Sequence, residues 1–191
     1  MPSGVLAKAR TEILISGFGG QGVVRMGQIL GLAAIRQGMR VTMLKSHGTE
    51  TRGGYVRAQL VVSPEYVDSP VVEHADFFVA FSQSAYKKFY HLATGLILYD
   101  PDMVTGVHAK DPERHVRVPA TALAKERFNN PLFANSIMLG TLTEVAGLER
   151  EAVRAAMLEV LPRFHDENVK AFAAGCECGR NALAQRNGVP H

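Results

Sequence analysis

Gly17, Gly19 and Gly22 stand in the spacing G-x-G-x-x-G, within the run Gly17-Phe18-Gly19-Gly20-Gln21-Gly22. The run follows the short apolar, β-branched stretch Glu12-Ile13-Leu14-Ile15-Ser16, which reads as a buried strand. After it, Val23, Val24, Met26, Ile29, Leu30, Ala33 and Ala34 recur at helical spacing until Gly38. Glycines in this place let the chain turn tightly and bring its backbone close to a ligand. The helix start at Val23 then offers free N–H groups and the positive end of a dipole to an anion. A dinucleotide site of this type also needs an acid at the end of the second strand, for the ribose hydroxyls. That strand, Val41-Thr42-Met43-Leu44, ends in Lys45-Ser46, and Glu50 lies too far on. Lys45 would suit a 2′-phosphate, so a stand-alone NADP-binding oxidoreductase, or a non-catalytic nucleotide-binding module, is the alternative reading. A third has the turn doing nothing but packing helix on strand.

The second candidate group is Glu50, Arg52, Gly53 and Gly54, in the polar stretch Lys45–Gly54, which reads as a loop. Arg52 offers a planar fork to a carboxylate or phosphate, and the paired glycines tolerate positive φ. The group fits a contact to a carboxylate or phosphate, or else an internal clasp. His47 shares the loop, whereas His74, His91, His108, His115 and His165 are dispersed without metal-ligand spacing. Cys176 and Cys178 are too few for an iron–sulfur cluster and too close for an easy disulfide, and read as reduced thiols on a helix. A metal contact shared with another chain is the residual option for them. Ser82-Gln83-Ser84 reads as a helix cap before it reads as chemistry. Met26, Met43 and Met138 read as core filler. No catalytic residue and no metal ligand stands out.

These groups need a scaffold, and the pattern supplies an α/β one. The unit from Glu12 to Leu44 is strand–turn–helix–strand, whose crossover implies parallel strands. Further strands are expected at Tyr55–Val62, Asp76–Ala80, Leu96–Tyr99 and Val116–Val118, with Glu65–Val67 pairing nearby. Helices are expected at about Ser84–Leu92 and Thr121–Phe128, then Pro131–Val145, Glu149–Leu161 and a last one towards Gln185, with Asp166 as its N-cap. The expected fold is a Rossmann-like three-layer domain, residues 1–191, with a mostly parallel sheet and a helical C-terminal third. Of the 191 residues, 47% are hydrophobic and 20% charged, enough apolar surface for a full core. The net charge of +3 is scattered, without the dense basic footprint of a nucleic-acid groove. No apolar run approaches the roughly 18 residues of a membrane span. Met1–Arg10 lacks the apolar core of a signal peptide. Cytoplasmic location is expected.

Several segments together resemble the gamma subunits of the 2-oxoacid:ferredoxin oxidoreductases. They are the opening SGFGGQG (Ser16–Gly22), the loop Glu50-Thr51-Arg52-Gly53-Gly54, the stretch Asp76–Tyr86 and Tyr99-Asp100. Ala134-Asn135 with Met138-Leu139-Gly140, and Lys170-Ala171-Phe172 with Ala174-Gly175, continue the likeness, which spans about Glu12 to Gly179. The resemblance implies a complex that oxidatively decarboxylates a 2-oxoacid, joins the acyl group to coenzyme A and passes two electrons to ferredoxin. It implies alpha and beta partner subunits and a ferredoxin-like delta subunit, with thiamine diphosphate and iron–sulfur clusters held by those partners. No cofactor is expected on this chain alone, and activity is expected only in the complex. Within the family the opening and the FSQSAY segment look most like the 2-oxoglutarate type. The implied coenzyme-proximal residues are Gly17, Gly19, Gly20, Gln21 and Gly22, with Glu50, Arg52, Gly53 and Gly54.

Overall fold

The computed structural model describes residues 9–47, 55–108 and 110–187. Six strands form one sheet: β1 (Thr11–Phe18), β2 (Arg40–His47), β3 (Tyr55–Ser63), β4 (Ala75–Ala80), β5 (Ala93–Tyr99) and β6 (His115–Arg117). Their order is β2-β3-β1-β4-β5-β6. β1, β4, β5 and β6 pair in parallel, whereas β3 runs antiparallel to both β1 and β2. β1 and β2 therefore point the same way, as the crossover implies, but are not neighbours, because β3 lies between them. The mostly parallel α/β fold is as expected.

Successive strand residues face opposite sides of the sheet. Ile13 and Ile15 join the larger core with Ala58, Leu60, Phe77, Val79 and Leu98, and Leu14 joins the smaller one with Val61, Phe78 and Ile97. The larger core is covered by α1 (Val23–Arg36), α3 (Ala120–Phe128), α4 (Ala134–Val145), α5 (Arg150–Val160) and α6 (His165–Asn187). Among the described residues the other face carries α2 (Gln83–Phe89), a following 3-10 turn, and loop residues such as Val67, Val72 and Val104. The C-terminal helices thus crowd one side of the sheet.

Three local expectations are corrected. β2 runs on through Lys45, Ser46 and His47, because each pairs with β3, and the Arg57 Nε donates to the Ser46 hydroxyl at 3.1 Å. Glu65–Val67 forms no strand. The segment after β3 is tied instead to the start of β1, where the buried Glu12 carboxylate accepts from the backbone N–H groups of Glu73 and His74. Asp166 does not precede α6 but sits in its first turn, where a negative charge still meets the positive end of the helix dipole.

Four of the family-like segments prove to hold packing or capping contacts. α4 and α6 cross closely: a side-chain carbon on Gly175 would lie 2.7 Å from the Ile137 carbonyl carbon, and one on Gly140 2.8 Å from the Cys176 nitrogen. The Thr141 hydroxyl closes the crossing by donating to the Gly175 carbonyl at 3.0 Å. Asp100 is 1% exposed, and its carboxylate accepts from the N–H of Asp102 and, at 2.7 Å, from that of Thr121 in the first turn of α3. Ser82 caps α2 by accepting from the Ala85 N–H.

On the thinly covered face the Tyr86 hydroxyl is buried at a three-way junction. It lies 2.8 Å from His115 Nε2 and accepts from the His108 N–H, while His115 Nδ1 sits 2.7 Å from the Asp111 carbonyl. That carbonyl can only accept, so His115 carries a proton on Nδ1, and in the neutral ring the Tyr86 hydroxyl donates to Nε2. Burial is the main cause that raises the Tyr86 pKa.

Candidate functional site

The glycine turn lies at the carboxyl end of β1, beside the carboxyl end of β4. Crevices outside these ends are where open α/β sheets take ligands. Gly20 and Gly22 have φ of 87° and 77°, a left-handed backbone that favours glycine. Gly22 is the N-cap of α1 and makes no side-chain cap bond. Of the amides from Val23 to Met26, only that of Met26 has a backbone partner among the described residues, the Gly22 carbonyl at 2.9 Å. The remaining helix-start amides are the free donors expected of an uncapped terminus.

The six residues of the turn divide by role. A side-chain carbon at Gly19 or Gly20 would meet nothing within 4 Å, so both look into open space. One at Gly17 would lie 2.6 Å from the Phe81 Cβ, and one at Gly22 would strike the Asn135 side chain. Gly17 and Gly22 are therefore packing positions. The Gln21 side chain turns inward: its Oε1 accepts from the Phe18 N–H at 2.6 Å, and its Nε2 donates to the Phe81 carbonyl at 2.9 Å.

The open space is a cleft of about 530 Å³ between the turn, the start of α1, Asn135 of α4 and the α5–α6 connection Leu161–Phe164. Arg163 lies on its wall, and Arg25, also lining it, donates to the Val160 carbonyl at 3.0 Å. Phe18, Leu132 and Phe164 form an apolar rim, each an exposed large hydrophobic residue. Asn168 holds the wall: its Nδ2 donates to the Arg163 and Phe164 carbonyls, and its Oδ1 accepts from the Ser136 hydroxyl at 2.6 Å. A smaller cavity of about 210 Å³, lined by Phe81, Met103, Thr121 and Leu132, lies across the turn from it. Gly20 and Asn135 border both.

Asn135, Arg163 and Asn168 reach this site from elements that carry no binding motif, and Arg25 from the first turn of α1, one turn beyond the glycines. Only Asn135 fell within a family-like segment. Glu50, Arg52, Gly53 and Gly54 lie outside the described residues. The strands that flank them end level with the glycine turn, since Phe18 pairs with Tyr55 and His47 with Val56.

The arrangement argues against the NADP alternative. In a Rossmann site the second strand of the unit borders the first, and its end reaches the ribose. Here β3 occupies that place, and Lys45 is one strand removed. Among the described residues no group of three or more His, Cys, Asp or Glu is placed to hold a metal ion. Cys176 is buried on α6, and burial, reinforced by the Glu144 carboxylate, pushes its thiol pKa up to about 12. Cys178 is raised too, chiefly by burial and then by Glu177. Both thiols are thereby held in the protonated, poorly nucleophilic form. No described helix is long and apolar enough to cross a membrane.

Residues 12–178 match the family model for pyruvate ferredoxin/flavodoxin oxidoreductase. The chain is 40% identical over 178 residues to the 2-oxoglutarate synthase subunit KorC of Methanothermobacter marburgensis, covering 88% of this chain and 96% of that one. Its fold is similar to the gamma subunit of a keto/oxoacid ferredoxin oxidoreductase from Geobacter sulfurreducens, with a TM-score of 0.77 and 29% identity over 90% of this chain and 99% of the other. A 2-oxoglutarate:ferredoxin oxidoreductase from Magnetococcus marinus, solved with 2-oxoglutarate, coenzyme A and succinyl-CoA bound, shares the fold at a TM-score of 0.75. There the identity is 22%, over 96% of this chain and 32% of the larger one.

Proposed function

From the premise that the chain belongs to the pyruvate ferredoxin/flavodoxin oxidoreductase family, we infer that it works as one subunit of a larger redox enzyme. It is the gamma subunit of a 2-oxoacid:ferredoxin oxidoreductase. The oxoacid is 2-oxoglutarate, a reading supported by four KorC relatives at 37–40% identity that align along most of their own length. The partners are alpha and beta subunits and a ferredoxin-like delta subunit. Thiamine diphosphate and the iron–sulfur clusters belong to those partners, and ferredoxin accepts the electrons of the complex. The enzyme works in the cytoplasm, in keeping with two unpaired thiols.

This chain's own part is to border the coenzyme A site through the cleft beside the glycine turn. The observation that carries this reading is the grouping of open backbone at Gly19 and Gly20, free amides at the start of α1, and two arginines on one cleft. Those donors suit the phosphates of coenzyme A, because charge-assisted bonds from N–H and guanidinium are the strong ones. When bound, the coenzyme supplies the thiol that accepts the acyl group. The chain's residues bind and orient its anionic part, and the apolar rim of Phe18, Leu132 and Phe164 limits water at the mouth. Glu50, Arg52, Gly53 and Gly54 lie near the coenzyme or a subunit interface in this reading, because their flanking strands end beside the turn.

The test is steady-state kinetics on the assembled complex. Gly20→Val and Arg163→Ala are each expected to raise the KM for coenzyme A, with the KM for the oxoacid held. Wild-type coenzyme A kinetics in both variants, with assembly intact, would remove the cleft from the reaction.

A further inference from the structure

Gln21 sits in the middle of the turn, yet its side chain points away from the cleft. Both ends of its amide are engaged, one with the Phe18 N–H at the end of β1 and the other with the Phe81 carbonyl just past β4. The contact therefore joins two parallel neighbours of the sheet whose residues are 60 apart in sequence. The pocket for it is made by Gly17, where any side-chain carbon would collide with the Gln21 amide and with Phe81. Gly17 and Gln21 thus act as a matched pair. Between them the exposed Gly19 and Gly20 are spanned by one backbone bond, from the Gln21 N–H to the Phe18 carbonyl at 3.3 Å, and a side-chain carbon on either would meet nothing within 4 Å.

We propose that Gln21 is a positioning residue: its amide pins the glycine turn to the end of β4, keeping the Gly19–Gly20 backbone open to the cleft without touching the ligand. The proposal rests on the reading of that cleft as the coenzyme A site. Two bonds to backbone groups define the turn at its base. Without them the left-handed residues Gly20 and Gly22, which glycine leaves conformationally free, have alternatives to the binding geometry. The loosened turn also has somewhere to go, because the smaller cavity lined by Gln21, Phe81 and Met103 lies directly behind it. A turn that sinks into that cavity withdraws its amides from the anion.

The experiment uses the assembled enzyme with Gln21→Ala and Gln21→Met, beside Arg163→Ala. Methionine keeps the bulk of glutamine but makes neither bond, so it separates clasping from filling. Both Gln21 variants are expected to raise the KM for coenzyme A roughly tenfold, the scale of losing one or two net hydrogen bonds. The kcat at saturating coenzyme A and the KM for the oxoacid are expected to stay at wild-type values. A wild-type Gln21→Met beside an impaired Gln21→Ala would show bulk alone to matter and overturn the proposal. So would failure of both variants to assemble, which would make the clasp purely structural. Raised KM in Arg163→Ala with both Gln21 variants normal would sink the positioning role and leave the cleft standing. Normal kinetics in all three would overturn the cleft and the clasp together.

Discussion

Replacing Gly175 by alanine tests the reading of α4 and α6 as a backbone-to-backbone contact. Two effects oppose each other. Alanine in a helix interior is favoured over glycine by about 1 kcal/mol. Against that, the added carbon would lie 2.7 Å from the Ile137 carbonyl carbon and nearer still to its oxygen, whereas unbonded carbons rest at about 3.5–4.0 Å. Backbone cannot rotate aside as a side chain can. The helices must move apart by roughly an ångström, loosening Phe172 and Cys176 from the core and stretching the Thr141–Gly175 bond. Overpacking of this kind costs about 3 kcal/mol at its upper range. The net loss is then about 2 kcal/mol, or roughly 4–8 °C in Tm for a chain of this size. Gly31 is the internal control, since a carbon there meets Val41 at an ordinary 3.5 Å. Gly31→Ala is expected to raise Tm by about 2–4 °C through helix propensity alone. Thermal unfolding followed by circular dichroism reads both. If Gly175→Ala stabilised the chain as Gly31→Ala does, the close crossing would be refuted.

Two further predictions concern groups away from the cleft. Tyr86→Phe removes the donor to His115 and the acceptor for the His108 N–H, so it is expected to cost about 1–3 kcal/mol. A urea midpoint equal to wild type would contradict the buried junction. Cys176 has its thiol pKa raised from 9.0 to about 12 in the fold, so the folded state holds that proton more tightly than the unfolded one. Its contribution to stability is complete below pH 9 and falls as pH climbs from there towards 12. Iodoacetamide should accordingly label Cys176 far more slowly in native protein than in denaturant, and equal rates would show the thiol to be accessible.

The parallel half of the sheet was legible because its strands are short, apolar and bounded by turns: Ile13–Ile15, Phe77–Ala80 and Leu96–Leu98 announce themselves. β3 was legible as a strand but not in its place, since alternation says nothing of which neighbour a strand takes. β2 outran its reading because Lys45, Ser46 and His47 are polar, and only their pairing with β3 makes them strand. The turn was plain in sequence, whereas the division of labour within it was not. Which glycine faces packed side chains and which faces space depends on Phe81 and Asn135, from β4's end and α4. Arg163 and Asn168 could not be found from spacing, as the α5–α6 connection and α6, distant in sequence, bring them to the wall that Arg25 of α1 also lines. The segment around Gly175 was recognised by likeness alone, and its physical meaning, a helix contact too close for any side chain, needed the neighbouring helix.

β3 is zipped on both sides at once, in register with eight residues of β1 and eight of β2. Val56, Ala58 and Leu60 face the helices, while Gln59 and Val61 face away, the Gln59 amide oxygen accepting from the Val72 N–H. A slip of one residue would turn a carboxamide into the larger core and misalign two ladders together. Frame errors on this strand are thus penalised twice, which makes the one reversed strand the one that fixes the alignment of its whole half of the sheet.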